Sequence, residues 1–318
     1  MRQRFLTSLL TPLLVMALTG CGKDAAEEGS YDAWTDGLVT VAVGDNLLYF
    51  VPTADRQGMM LTYDRTKMTF ERLVQMNGGT VGEEEGGTGE QGLVTYQGVV
   101  NIPTTVNGKS VKAIDQYAFS GNYNLTSVVV PNSVTEIGPE SFAQCPNLTS
   151  VSLPQTISTI KAGTFCGKSV PTITIPKSVK TLGRFAFLKN TLLTTVTFET
   201  GSQLEAIEAS AFSGCTALPD ITLPDGIKTL GAYAFNGCTA IKELTIPASV
   251  TTIDDQCFKG CSRLKTIHMQ SATPPTVKGS AAFLSSAVIY VPAGSLTAYQ
   301  QADYWNTISS ENYKEEGK

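Results

Sequence analysis

Histidine is almost missing from this 318-residue chain, which has only His268. Charge is sparse as well: 16% of residues are Asp, Glu, Lys or Arg, and acids outnumber bases 28 to 23 for a formal charge of -5. Without clustered Lys and Arg to neutralise phosphate, nucleic acid is not an expected partner. Catalytic bases are often histidines, and His268 lies on the outward side of a strand in "KTIHM". No G-x-S-x-G, H-E-x-x-H or P-loop accompanies it. Paired carboxylates remain open, but none recurs at a turn that would build a cleft. The seven cysteines offer Cys257 and Cys261 as a C-x-x-x-C, yet no second pair or histidine sits at metal-ligand spacing. No metal and no cofactor are expected. The one long apolar run, Phe5 to Ala17, is too short to span a bilayer.

That run has another reading. "MRQRFLTSLLTPLLVMALTGC" begins with Arg2 and Arg4, continues through the apolar segment and ends in "LTGC", Leu18 to Cys21. The order is that of a secretory leader, and "LTGC" resembles a bacterial lipobox. The resemblance implies a signal peptide over 1–20, cleavage before Cys21 and acylation of that residue. Several acyl chains suffice for stable anchoring. "CGKDAAEEGS" follows as a tether over 21–30, and it resembles the acidic segment of surface-exported lipoproteins. The expectation is an outer-membrane, lipid-anchored protein exposed at the cell surface.

Thr, Ser, Val and Ile crowd the rest of the chain, a strand-favouring composition, and they do so periodically. Phe119, Phe142, Phe165, Phe187, Phe212, Phe235, Phe258 and Phe283 recur at steps of 23, 23, 22, 25, 23, 23 and 25 residues. A fixed period of this size signals a solenoid. Five residues before each Phe stands an apolar residue, from Ile114 to Ile253, and about three earlier another, from Val111 to Val250. An L-x-x-L-x-L run follows each Phe, as in Leu148, Val151 and Leu153. Its alternation predicts a short strand with one buried face, and Pro131, Pro154, Pro176, Pro224 or Pro247 ends most runs. One unit cannot bury its own apolar face, but stacked neighbours can. The predicted architecture is a mainly β repeat solenoid with parallel strands over 96–270.

Three residues after the Phe, the column reads Asn122, Cys145, Lys168, Asn190, Cys215, Cys238 and Cys261. A side chain there satisfies backbone groups inside the turn or packs. Lys168 breaks the column and is expected to point outward from a looser turn. Stacked cysteines could fall within disulfide reach, about 4.4–6.8 Å between Cα atoms, but alternation with Asn favours buried free thiols.

"LTSVVVPNSVTEIGPESFAQCPNLTSVSLP", Leu125 to Pro154, resembles the BspA-like branch of leucine-rich repeats. "YQGVVNIPTTVNGKSVKAIDQYAF", Tyr96 to Phe119, is similar to the family's opening unit. "AVIYVPAGSLTAYQQADYW", Ala287 to Trp305, resembles its closing strand and helix, with Ser295 as N-cap and Tyr299 and Trp305 sealing the core. The resemblance implies leucine-rich repeats of about 23 residues, a C-terminal cap and tail over 271–318, and a surface adhesin that binds host matrix proteins or neighbouring cells, while the missing catalytic motifs imply that it is not an enzyme. It names no ligand.

Residues 31–95 are expected to form an N-terminal β-rich capping region. "GLVTVAV", "LLYFVP" and "MMLTYD" read as strands, "MTFERLVQM" as strand or helix, and Gly78 to Gly92 as a flexible acidic loop. In the repeats, the residues between buried positions face outward. One row reads Ser127, Ser150, Thr172, Thr195, Asp220, Glu243 and Thr266. The other reads Val129, Ser152, Thr174, Thr197, Thr222, Thr245 and His268. Stacked on one parallel sheet, they would make a continuous face roughly 30 Å long at ~4.8 Å per strand. This face is the candidate contact surface for proteins or glycans of the host matrix or of neighbouring cells. Two other readings stand beside it, a structural envelope component without a dedicated ligand and an enzyme.

Overall fold

The computed structural model describes residues 39–62, 96–279 and 287–317. The leader, Cys21, the tether, Met68 to Met76, the Gly78 to Gly92 loop and Phe283 lie outside the described residues. The described repeats form a mainly β solenoid of parallel strands. Its core is a file of phenylalanine rings running from Phe119 to Phe258. Successive rings lie nearly parallel, with centroids 5.1 to 5.5 Å apart. Each of these rings is fully buried.

Three kinds of backbone ladder join one unit to the next. The first runs through the L-x-L strands. It pairs Gly98–Asn101 with Leu125–Val129 and Ser150–Ser152, then Thr172–Ile175 with Thr195–Phe198, then Glu243–Ile246 with Thr266–Met269, Val288–Val291 and Tyr313–Glu315. This corrects the expectation of one continuous sheet. The interruptions fall at Pro171 and Pro219. At intact junctions the residue in that position donates one unit back, as Thr149 does to Thr126 at 2.9 Å and Lys265 does to Lys242 at 2.9 Å. Proline has no N–H to give, and the run Leu218 to Leu223 forms no strand.

The second ladder was not foreseen as such. The residues around the apolar position five before each Phe form two-residue strands, Thr159–Ile160 through Thr276–Val277, in one six-stranded parallel sheet. The third runs through the Phe turn itself. Tyr117, Phe119 and Gly121 donate to Pro139, Ser141 and Ala143 in the following unit at 3.2, 2.8 and 2.9 Å. The same three bonds recur at every junction up to Tyr233, Phe235 and Gly237, which donate to Asp255, Cys257 and Lys259. To aim them, the residues two before and two after each Phe adopt positive φ. The second position is mostly glycine. The first holds Tyr117, Glu140, Phe185, Ser210, Tyr233 and Gln256, with φ between 52° and 60°. A left-handed non-glycine residue costs about 1–2 kcal/mol, and the inter-unit hydrogen bonds offset that, each contributing about 0.5–1.5 kcal/mol.

The N-terminal strands form an antiparallel meander, Val39–Val43 against Asn46–Pro52 against Met59–Thr62. Its last strand pairs in parallel with Lys109–Ile114 of the first unit. Asn46 clamps the chain where it enters the repeats, since its amide donates to the Gln97 carbonyl at 2.9 Å and accepts from the Gln97 N–H at 2.8 Å. Tyr96 covers the first ring of the file, 4.9 Å from Phe119. At the other end Tyr299 and Trp305 are fully buried and meet edge to face at 5.0 Å. Their polar tips reach the Ser271 and Pro275 carbonyls, both at 2.8 Å. Ser295 does precede the helix Leu296–Gln301, but its hydroxyl donates backward to the Pro292 carbonyl at 2.6 Å instead of capping. After the helix the chain returns as Tyr313–Glu315 and extends the sheet by one more strand.

Candidate functional site

The outward rows are where the alternation of the strands places them. Ser150, Ser152, Thr172, Thr174, Thr195, Thr197, Asp220, Thr222, Glu243 and Thr245 are all exposed. Register brings Thr172 beside Thr195 and Thr174 beside Thr197. The Ser127 and Ser150 hydroxyls hydrogen-bond at 2.8 Å. The face therefore consists of three strand-paired patches, with Asp220 and Thr222 on the unpaired run between the second and third. Exposed apolar side chains appear at its N-terminal end, where Val99 and Val129 are 54% and 42% exposed.

The cysteine column is interior. Cys145, Cys215, Cys238 and Cys261 each donate to the carbonyl of the preceding unit's phenylalanine, at 3.0 to 3.1 Å. In the irregular unit Lys168 is exposed, as expected, but the column is not empty. Ser169, one residue later, is buried and donates to Phe142 at 3.0 Å. Cys257 belongs to another file, the small residue before each Phe that is alanine in Ala211 and Ala234. All six described cysteines are buried and free. Burial pushes the thiols of Cys215, Cys238, Cys257 and Cys261 up, Cys261 to about 11 and Cys215 to about 12. A thiol held in its protonated form is a poor nucleophile at neutral pH. Among the described residues no group of three or more His, Cys, Asp or Glu is placed to hold a metal ion.

His268 has neighbours that its own segment does not reveal. Nδ1 lies 2.5 Å from Oε1 of Glu316, and Nε2 lies 3.1 Å from Oε1 of Glu243. Glu316 is 48 residues away in sequence and arrives only because the last strand joins the sheet. Its one sequence signal is its place just past Tyr313–Glu315. Both ring nitrogens of His268 thus face a carboxylate.

These repeats have a known relative. The model of the BspA type leucine-rich repeat region matches residues 112–203 and 189–299, in six copies. The chain belongs to this family. Among solved structures, the BspA-type solenoid resembles a leucine-rich repeat protein from Bacteroides ovatus, at 21% identity over 82% of this chain and 73% of that one, TM-score 0.35. It also resembles one from Bacteroides capillosus, at 27% identity over 50% of this chain and 98% of that one, TM-score 0.33. The pneumococcal vaccine antigen PcpA matches at 14% identity over 87% and 97%, TM-score 0.36. With every TM-score below 0.5, the family assignment rests on the repeats alone. No curated protein matches the sequence. Among the described residues no helix is long and apolar enough to cross a membrane.

Proposed function

We propose that this BspA-type chain is a non-catalytic binding protein, anchored through Cys21 in the outer membrane and displayed at the cell surface. Its partners are proteins or glycans of the host matrix or of neighbouring cells. The observation that carries the reading is the exposed double row of short polar side chains, presented in strand-paired patches over a buried ring-stacked core. Extended solenoid faces commonly serve as binding surfaces, and repeat proteins of this family are typically non-catalytic. Short hydroxyls on a broad face suit a shallow, multivalent contact better than a deep pocket.

The test is capture. The processed chain, residues 21–318, is immobilised and exposed to extracellular matrix proteins, their glycans and bacterial surface material. Saturable retention of a defined component supports the reading. Retention of none, from a folded chain, makes the protein a structural part of the envelope.

A further inference from the structure

At the C-terminal end the outward face changes character. Thr245, His268, Tyr290 and Lys314 stand in register on four successive parallel strands. Tyr290 lies parallel to His268, centroids 4.9 Å apart and planes within 11°. Lys314 Nζ is 6.0 Å from the centre of the Tyr290 ring. Cation and rings thus form a column along the ladder, and the column stops at His268. The next position holds Thr245, whose side chain is too short to cover an imidazole. The face of His268 turned away from Tyr290 is therefore not covered by a ring, and His268 lines a groove of about 560 Å3 together with Glu243, Thr245, Gln270, Pro292 and Glu316.

Carboxylates flank both edges of that ring. Glu316 and Glu243 each turn Oε1 toward it, at 2.5 and 3.1 Å. Their side chains remain 46% and 66% exposed, so a ligand can reach both acids. The groove thus offers an aromatic ring with a carboxylate at each of its two nitrogens. We propose that it receives the guanidinium of an arginine side chain presented by a partner protein. A guanidinium is planar, stacks on aromatic faces, and directs its N–H groups outward in its own plane, which here is toward the two carboxylates. Charge-assisted bonds of that kind are the strong ones. A lysine ammonium has the charge but no plane. A sugar has a flat face but no charge to set against two acids. The proposal deepens the binding reading above by naming a protein partner and the group it offers.

The chain's one histidine reports on the site directly, because its ring signals in an NMR spectrum have no overlap with others of their kind. The processed chain, residues 21–318 in detergent micelles, is titrated with N-acetyl-arginine methylamide, with its lysine counterpart and with methyl glycosides. Saturable shifts of the His268 signals with the arginine compound, and at least tenfold weaker binding of the lysine one, are expected. Glu243→Gln with Glu316→Gln should weaken arginine binding at least tenfold. Thr245→Leu, which fills the slot and leaves both acids in place, should do the same and serves if the double variant fails to fold. Equal response to lysine, response to a glycoside instead, unchanged binding in both variants, or no response would each overturn the proposal. The capture assay separates the two readings. Matrix capture that survives all these variants leaves the binding protein intact and removes only the arginine site. Loss of every capture beside an arginine response removes the broader reading.

Discussion

The thiol of Cys238 donates to the carbonyl oxygen of Phe212 across 3.1 Å, one unit back along the solenoid. Cys261 repeats the contact to Phe235 at 3.0 Å. Cysteine in this fold is a small buried donor that satisfies the inside of a turn, and its chemistry follows from that role. The folded protein should react with an aromatic disulfide reagent at pH 7 only as fast as it unfolds. In denaturant without reductant, the six described cysteines should all react as thiols, as their burial outside any disulfide implies, with Cys21 adding a seventh only if it carries no lipid. Two or fewer would mean disulfides.

The same burial predicts a loss of stability at alkaline pH. Unfolded thiols ionise near 9.0, whereas folded Cys261 and Cys215 hold their protons up to about 11 and about 12. Above pH 9 the folded state therefore binds more protons than the unfolded one, and stability falls as pH rises. The contribution of these thiols is complete below pH 9 and lost progressively as pH passes through their folded values. Denaturant midpoints measured from pH 8 to 11 should decline, and Cys215→Ser should flatten the decline. An unchanged slope in that variant would assign the loss to other groups.

Four residues before each Phe, the chain alternates between a charged residue and glycine, from Asp115, Gly138, Lys161 and Gly183 to Glu208, Gly231 and Asp254. The glycines sit where the backbone presses on the preceding unit. A Cβ on Gly231 would lie 2.6 Å from the Glu208 carbonyl carbon and 2.7 Å from the Ala209 nitrogen. Rigid backbone on one side leaves no side chain to swing away. Gly231→Ala should cost about 1–3 kcal/mol, the usual range for overpacking, read as a lower urea midpoint. No change would show that the unit can shift along the stack.

Much of this fold is legible in the sequence because each buried column repeats one chemistry. The Phe file and the apolar positions before and after it repeat seven times and cannot be confused with chance. What is not legible comes from single residues that act against the pattern. The shift from Lys168 to Ser169 hides in a turn shortened by one residue. Pro171 and Pro219 interrupt the sheet at positions where Thr or Lys would look interchangeable with them, because their effect lies in a missing donor and not in polarity. Tyr117, Phe185 and Tyr233 in left-handed backbone violate local preference, and only the inter-unit bonds explain them. His268 and Glu316 meet through the final strand, which no motif announces.

The anchor is tested by one atom. If Cys21 carries the lipid, Cys21→Ala abolishes acyl labelling and moves the protein from the membrane fraction to the soluble one. Acyl chains carried by a single residue are lost with that residue. Retention of the variant in membranes would place the attachment elsewhere.

Where binding happens is decided by comparing the sheet face with the N-terminal region. Thr174 and Thr197 share the central paired patch, and Thr222 continues their row on the run after Pro219. All three are exposed beside buried neighbours, Thr174 and Thr197 on paired strands and Thr222 on the run that forms none, so lysine at each position alters the surface and leaves the core alone. Three long cations in one row would stand where short hydroxyls now allow close approach across the middle of the face. The variant Thr174→Lys, Thr197→Lys and Thr222→Lys should lower partner capture at least tenfold with an unchanged circular dichroism spectrum. The breaks at Pro171 and Pro219 sharpen the test, because a partner that needs a continuous sheet could not use this surface, whereas one that contacts separate patches could. If the triple variant binds normally and removal of residues 31–92 abolishes binding, the face is scaffold and the N-terminal region holds the partner.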